Sequence, residues 1–312
     1  VEASQILAAI DIGSNAVRLV IGEVDHHGDI RVLKKTREPV RLGADVFGQG
    51  VITHQTRDRL LEAFLKFREL IAAYHVRHTR AVATSALREA TNRDALVNEV
   101  HKASGIRIDV IDGIEEGRLI FSAVSHRVDL EDKTALLIDI GGGSVELTLA
   151  EHGSPIGTQS FKLGTVRLLQ LIADRGLREK NLPSLIHELF APAREFVHEV
   201  TRDRHVDVAI GTGGNFEALG KLRVALLHKT SIFSMTRTEL QQLVHHLQLM
   251  TVKERIQFLR LRPDRADVVV PAALVTIAAM STIDLDLLMI PYVGLRDGIL
   301  TELSERLRST VD

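Results

Sequence analysis

The stretch LLIDIGGGSVELTLAE, Leu136–Glu151, starts as an apolar strand, stops at an aspartate and three consecutive glycines, and then resumes its alternation. A tight turn rarely needs three glycines, since one or two supply the positive φ angles it requires. A related stretch, AAIDIGSNAVRLVIGE, runs from Ala8 to Glu23. Aligned without gaps, Ile10, Asp11, Ile12, Gly13, Val17 and Leu19 match Ile138, Asp139, Ile140, Gly141, Val145 and Leu147, six identities in twelve positions. The chain reads as a duplicated fold whose halves meet near 125–133. Arg18 and Glu146 hold equivalent positions with opposite charge, so the halves are not chemically equivalent.

Working outward, strand-like and helix-like segments alternate along the whole chain, the pattern of an α/β protein. Val17 to Val24 reads as the hairpin partner of the first strand, and DIRVLKKT as a third strand. Leu60, Leu61, Phe64, Phe67, Leu70 and Ile71 recur at helical spacing and predict a helix over about 56–74. TRAVAT reads as a strand, followed by a helix opened by Thr91 to Asp94, where Asn and Asp are plausible caps. IRIDVID reads as a strand and EEGRLIFSAVSH as a helix. In the second half VDVAIGTGGNFEAL gives a further strand, a glycine turn and a helix. Amphipathic helices are expected over 165–173, 185–200 and 238–249, and LLMIPYV as a last strand before a polar C-terminal helix.

The 312 residues leave room for two domains, and 45% apolar with 26% charged residues is the mix of a soluble globular protein. The absence of cysteine excludes disulfide and thiolate chemistry and fits a reducing, cytoplasmic setting. The start, VEASQ, has no initiator methionine, no basic patch and no apolar signal core. The longest apolar run, Val268 to Met280, contains Pro271, is too short to span a bilayer and reads as a buried helix. A net charge of −2 gives no global attraction for nucleic acid or an anionic membrane. An anionic ligand must then be held by local arginines, backbone amides or a metal.

Glycine-rich loops at strand ends let backbone N–H groups converge on an anion without Cβ atoms in the way. Gly13–Ser14–Asn15, Gly141–Gly142–Gly143–Ser144 and Gly211 to Gly214, with Gly213 and Gly214 opening a helix, would give three such loops facing one cleft. Any one of them alone reads as an ordinary turn; the conjunction does not. Asp11 and Asp139 would aim carboxylates at a phosphate site, which is repulsive unless a cation intervenes. Mg²⁺ takes one or two carboxylates together with waters and phosphate oxygens, so Asp139, Glu146 and Asp11 are candidate metal ligands. Water-dependent phosphoryl transfer also needs a group that orients or deprotonates water. Glu115 and Glu116 stand at a helix start, where acids also occur merely because they suit the dipole. Arg88, after a strand and beside Thr84 and Ser85, suits a phosphate. Arg18, Arg41, Arg118, Arg265 and Arg296 lie near glycine or acidic motifs and read first as surface charges. His26–His27 and His245–His246 read as surface pairs. No nucleophilic triad is visible, and Ser144 reads as a phosphate-loop donor.

AAIDIGSNAVRLVIGEV, AVATSALREA, DVIDGIEEGRLIF, LLIDIGGGSVELTLAE, IGTGGNFEAL and YVGLRDGIL, in that order, resemble the motifs of the exopolyphosphatase and guanosine pentaphosphate phosphohydrolase family (Ppx/GppA). The resemblance implies two ribonuclease-H-like domains of the actin, sugar-kinase and heat-shock chaperone ATPase superfamily flanking a cleft. These are expected over 1–125 and 126–312, with the last helix, 297–312, able to pack back on the first. It implies Mg²⁺-dependent release of terminal phosphate from polyphosphate or guanosine pentaphosphate. Glu116 would activate water, Asp139 and Glu146 would place metal and water, the glycine loops would cradle phosphates, and Arg88 would help neutralise them. Longer family members carry further helical domains, so a short form is expected to favour shorter polyphosphate or the alarmone. A homodimer is compatible with this reading. The alternatives are an ATP-dependent phosphotransferase of the same superfamily and a non-catalytic alarmone or polyphosphate sensor.

Overall fold

Both Ile-Asp-Ile-Gly stretches fold as the central strand of a mixed sheet in a computed structural model that describes residues 5–25 and 28–308. The pair His26–His27 and the end of the expected helix 297–312 lie outside the described residues. The chain divides into two compact units, one formed by 1–123 with 295–312 and the other by 124–294. The division falls between 123 and 124, two residues before the expected boundary, and the last helix, Leu295–Arg308, groups with the first unit, on which it was expected to be able to pack.

The first unit holds strands β1 (Gln5–Ile12), β2 (Val17–Val24), β3 (Ile30–Glu38), β4 (His78–Ala83) and β5 (Ile108–Val110). Their spatial order is β3-β2-β1-β4-β5, with β1 antiparallel to β2 and parallel to β4. The second unit holds β6 (Thr134–Ile140), β7 (Val145–Glu151), β8 (Ser154–Phe161), β9 (Val208–Thr212), β10 (Ser234–Thr236) and β11 (Leu287–Met289). Read from β8, its order is β8-β7-β6-β9-β11-β10, which repeats the first sheet and adds one strand at the far edge. Three antiparallel strands continued by parallel ones, with helical crossovers, is the ribonuclease-H-like arrangement, so the protein is an α/β chain of two such domains.

Leu7 to Ile12 are all buried, as a central strand covered on both faces requires. On one side of the first sheet Leu60, Phe64 and Phe67 of helix His54–Ala73 join Ile10, Ile12 and Leu19 in the core. The last helix seats on the same unit through Gly298, where a Cβ would come 2.0 Å from the Leu119 carbonyl oxygen.

Two local expectations are corrected. The single helix expected over 185–200 is two, Leu182–Leu189 and Ala191–Thr201, because Pro192 lacks the N–H that a continuous helix needs and crowds the preceding turn. Asn92 does not cap helix Arg93–Ser104 through its side chain; it clamps Ile52 instead, accepting from the Ile52 N–H at 3.0 Å and donating to the Ile52 carbonyl at 2.9 Å. The helical stretch Pro263–Thr282 is, by length and composition, apolar enough to match a membrane span, longer than the run seen in the sequence. Val269, Val270, Ala272, Ala273 and Val275 are nonetheless fully buried in the second unit's core, so the segment serves as its central helix.

Candidate active site

The two Ile-Asp-Ile-Gly hairpins have the same construction. The turn after β1 closes with Gly13 N–H donating to the Ala16 carbonyl at 3.1 Å, and the turn after β6 with Gly141 N–H donating to the Ser144 carbonyl at 3.0 Å. In both, the loop carbonyls are taken up by the start of the helix that follows the third strand. Gly43 N–H donates to Ser14 at 2.8 Å and Arg41 N–H to Asn15 at 3.2 Å. In the second unit Thr165 N–H donates to Gly141 at 3.1 Å and Val166 N–H to Gly142 at 2.8 Å, while the Arg167 side chain donates to the Gly143 carbonyl at 2.8 Å. With the carbonyls engaged, and the Gly13 and Gly141 N–H groups closing the turns, the later loop amides are the polar groups that an anion can meet.

Gly164 makes the second arrangement possible, since a Cβ there would come 2.3 Å from Gly143 backbone atoms. Gly164 and Arg167 are functional-loop residues that the sequence reading passed over. The signal was the glycine just before the helix in FKLGTVRLL, which allows a close backbone approach.

The register of the hairpins decides their chemistry. Asp11 faces Arg18 across β1 and β2, and Asp139 faces Glu146 across β6 and β7. In the first hairpin the acid is neutralised: Arg18 Nη1 lies 2.8 Å from Asp11 Oδ2, and Asp11 is buried. In the second, two acids meet, with one carboxylate oxygen of each within 4.8 Å of the other. Glu146 is only 2% exposed. Each carboxylate is oriented by a hydroxyl from the neighbouring strand, Thr212 Oγ1 donating to Asp139 at 2.5 Å and Ser160 Oγ to Glu146 at 2.7 Å. A buried Glu146 and a partly buried Asp139, each oriented by a hydroxyl, are the hard oxygen set that a divalent cation such as Mg²⁺ prefers, so these residues fit the expected metal. Asp11, expected as a further ligand, is instead the partner of Arg18.

The third glycine loop supports the same edge. Gly213 has φ 84° and its N–H donates to the Val293 carbonyl at 3.0 Å, while a Cβ at this position would stand 3.2 Å from Asp139 Oδ1. Helix Gly214–Leu227 begins at the next residue, so its free N-terminal amides open beside Asp139. Asn215 donates to the Ile140 carbonyl at 2.9 Å and accepts from Arg265, which is buried rather than at the surface.

In the first unit, Asp112 caps helix Gly113–Ser125 by accepting from Glu115 N–H at 2.8 Å. The two acids of its first turn then part company. Glu115 is gripped by Arg118 at 2.6 and 2.7 Å and approached by Arg80 at 3.4 Å. The Arg118 hydrogen bond holds its carboxyl below the ordinary carboxylate range despite partial burial. Arg118 also pairs with Glu302, tying this turn to the last helix. Glu116 is 5% exposed and stands 3.8 Å from Arg88, whose other contact is a 2.7 Å donation to the Ile111 carbonyl. Ser14 and Ser85 hydroxyls meet at 3.0 Å, joining the first loop to the helix that carries Arg88.

The duplicated ribonuclease-H-like domains, the glycine-rich turns and the Asp139–Glu146 pair suit a protein that acts on phosphate groups. The chain belongs to the Ppx/GppA phosphatase family, which it matches over residues 19–307. It is 28% identical to exopolyphosphatase 1 of Mycobacterium leprae, with 94% of this chain and 88% of that one aligned. It is also 28% identical to the guanosine-5'-triphosphate,3'-diphosphate pyrophosphatase of Vibrio parahaemolyticus, covering 98% of this chain and 60% of that longer one. The crystal structure of an exopolyphosphatase from Cytophaga hutchinsonii superposes with a TM-score of 0.86 at 27% identity, over 97% of this chain and 98% of that one. The Aquifex aeolicus family member, at 24% identity and a TM-score of 0.77 over 98% and 99% of the two chains, shares the fold.

Proposed function

We propose that the chain is an exopolyphosphatase-type hydrolase that releases terminal orthophosphate from short inorganic polyphosphate, from guanosine pentaphosphate, or from both. The observation that carries the proposal is the Asp139–Glu146 pair, one acid partly buried and the other buried, paired across two strands where the equivalent hairpin has an acid–base pair. Such a pair calls for a cation, and a cation beside glycine anion loops calls for a phosphate. Names of relatives from two substrate groups, polyphosphate and the guanosine alarmone, support the same bond type.

A divalent ion on Asp139 and Glu146 would supply charge neutralisation for phosphate oxygens. The protein groups do the rest. Gly13, Gly141 and Gly213 engage their own N–H groups within the protein, so the amides of Ser14 and Asn15, of Gly142 to Ser144 and of Gly214 would bind phosphate oxygens, and Arg88 would add a fixed positive charge. The Glu116 carboxylate takes a proton from water as its oxygen bonds to the terminal phosphorus. The bridging P–O bond breaks and the shortened chain leaves with the electron pair. Positioning and charge stabilisation provide most of the acceleration in such transfers, and the base a further part.

Phosphate release from tripolyphosphate, long polyphosphate, guanosine pentaphosphate and ATP, each with and without Mg²⁺, tests the reading. Release from at least one of the first three, dependent on Mg²⁺ and lost in Glu116→Ala, is expected. No release from any of them, or transfer of the ATP γ-phosphate only to a small acceptor, overturns it.

A further inference from the structure

Phe233 stands in the loop before β10 with 59% of its surface exposed, yet both of its backbone polar groups are hydrogen-bonded. Its N–H donates to Ser231 Oγ at 3.1 Å and its carbonyl accepts from Ile290 N–H at 2.7 Å. The Ser231 carbonyl in turn accepts from Arg223 at 2.7 Å. The ring leans edge-on against Tyr292, with centroids 5.4 Å apart and planes at 67°. Tyr292 itself sits at φ 61°, a left-handed conformation that a bulky side chain rarely adopts, and its hydroxyl donates to the Glu217 carbonyl at 3.3 Å. Glu217 lies three residues past Gly214, about 4.5 Å along the helix from its start. One residue past Tyr292, the Val293 carbonyl accepts the Gly213 N–H. The aromatic pair therefore lies beside helix Gly214–Leu227 within the second unit, with Ile232, one residue before Phe233, packed against Gly220, six residues and about 9 Å past the helix start.

We propose that Phe233, braced by Tyr292, is a stacking platform for the base of a nucleoside polyphosphate whose phosphates lie along the Gly213–Gly214 loop. The inference rests on the phosphohydrolase reading and narrows it, naming a residue that separates a nucleotide substrate from inorganic polyphosphate. Three features support a base rather than a phosphate or a protein face. An aromatic ring offers a π-face and no cation, so it adds nothing to the binding of inorganic polyphosphate. Stacking on such a face is tolerant of base identity and contributes substantially per base. The backbone bonds fix the position from which the ring projects and the Tyr292 edge contact limits its rotation, which lowers the ordering cost on binding.

The test compares guanosine pentaphosphate with tripolyphosphate, substrates that share a terminal anhydride and differ in the nucleoside, on wild type, Phe233→Ala and Phe233→Trp. In Phe233→Ala, kcat/KM for guanosine pentaphosphate is expected to fall about 5- to 100-fold, mainly through KM. Tripolyphosphate hydrolysis should stay within about twofold, and Phe233→Trp should restore the nucleotide reaction. The exposed position of Phe233 leaves the fold intact, which unchanged thermal midpoints verify. Equal losses on both substrates, no loss on either, or failure of Trp to restore activity overturns the platform. So does a wild-type enzyme that cleaves tripolyphosphate but neither binds nor cleaves the nucleotide. Wild type inert towards both substrates is the separate outcome that overturns the hydrolase reading itself.

Discussion

Replacing Glu146 by glutamine should stabilise the metal-free protein while abolishing its response to Mg²⁺. With carboxylate oxygens within 4.8 Å, the Asp139–Glu146 repulsion is on the order of 3–4 kcal/mol at an effective dielectric constant of about 20. The hydroxyl bonds from Thr212 and Ser160 offset part of this, since bonds to charged groups contribute about 1.5–3 kcal/mol each. Glutamine keeps an oxygen for Ser160 and nearly the same volume, but removes the second negative charge. A net gain of about 1–3 kcal/mol in EDTA is expected, the Coulomb term less what the Ser160 bond loses on becoming neutral. In wild type, Mg²⁺ at a hundredfold excess over its dissociation constant should add about 2.7 kcal/mol, and in Glu146→Gln this increment should shrink towards zero. Urea unfolding of both proteins, in EDTA and in Mg²⁺, reads all four values. A variant destabilised in EDTA by more than about 1 kcal/mol, or one with an undiminished Mg²⁺ response, refutes the reasoning.

Other perturbations reach the remaining parts of the site and the scaffold. Glu116→Ala should reduce turnover by about 10²- to 10⁴-fold with little change in thermal midpoint, checked by steady-state phosphate release and calorimetry. Gly164→Ala pushes a methyl group against the Gly142–Gly143 backbone and should cost about 1–3 kcal/mol together with most of the activity, whereas Gly176→Ala, where a Cβ meets no neighbour, costs only its left-handed strain and leaves activity intact. Glu239, hydrogen-bonded first by Arg223 and also accepting from the Thr236 N–H at the start of its helix, has its carboxyl held down at about 2 against an ordinary 4.5. Its contribution is therefore fully present above about pH 4.5 and disappears as pH falls towards about 2. Urea unfolding should show wild type about 2–3 kcal/mol more stable than Glu239→Gln near neutrality, with the gap closing through that acidic window.

The repeated Ile-Asp-Ile-Gly pattern was enough to read a duplicated α/β fold, because strand period and glycine turns are local properties of the chain. The same local signals mark the glycine loops, and the order of the motifs marks the family. Helix ends were legible to within a few residues where periodicity was strong, as in His54–Ala73, but not where a single proline decided, as at Pro192. Arg167 and Phe233 carried no pattern of their own, and Gly164 and Tyr292 stood in legible stretches without showing what they touch. Their meaning comes from partners far along the chain, which sequence spacing does not reveal.

The opposite charges of Arg18 and Glu146 were visible as letters, but what they do depends on cross-strand register. Pairing Asp11 with Arg18 makes one hairpin a closed ion pair, and pairing Asp139 with Glu146 makes the other a cation-seeking site. The sequence alone therefore determined where anion loops and acids occur. Only the tertiary structure decided which acids are neutralised and which are held together, because Coulomb energy depends on distance across the sheet rather than along the chain.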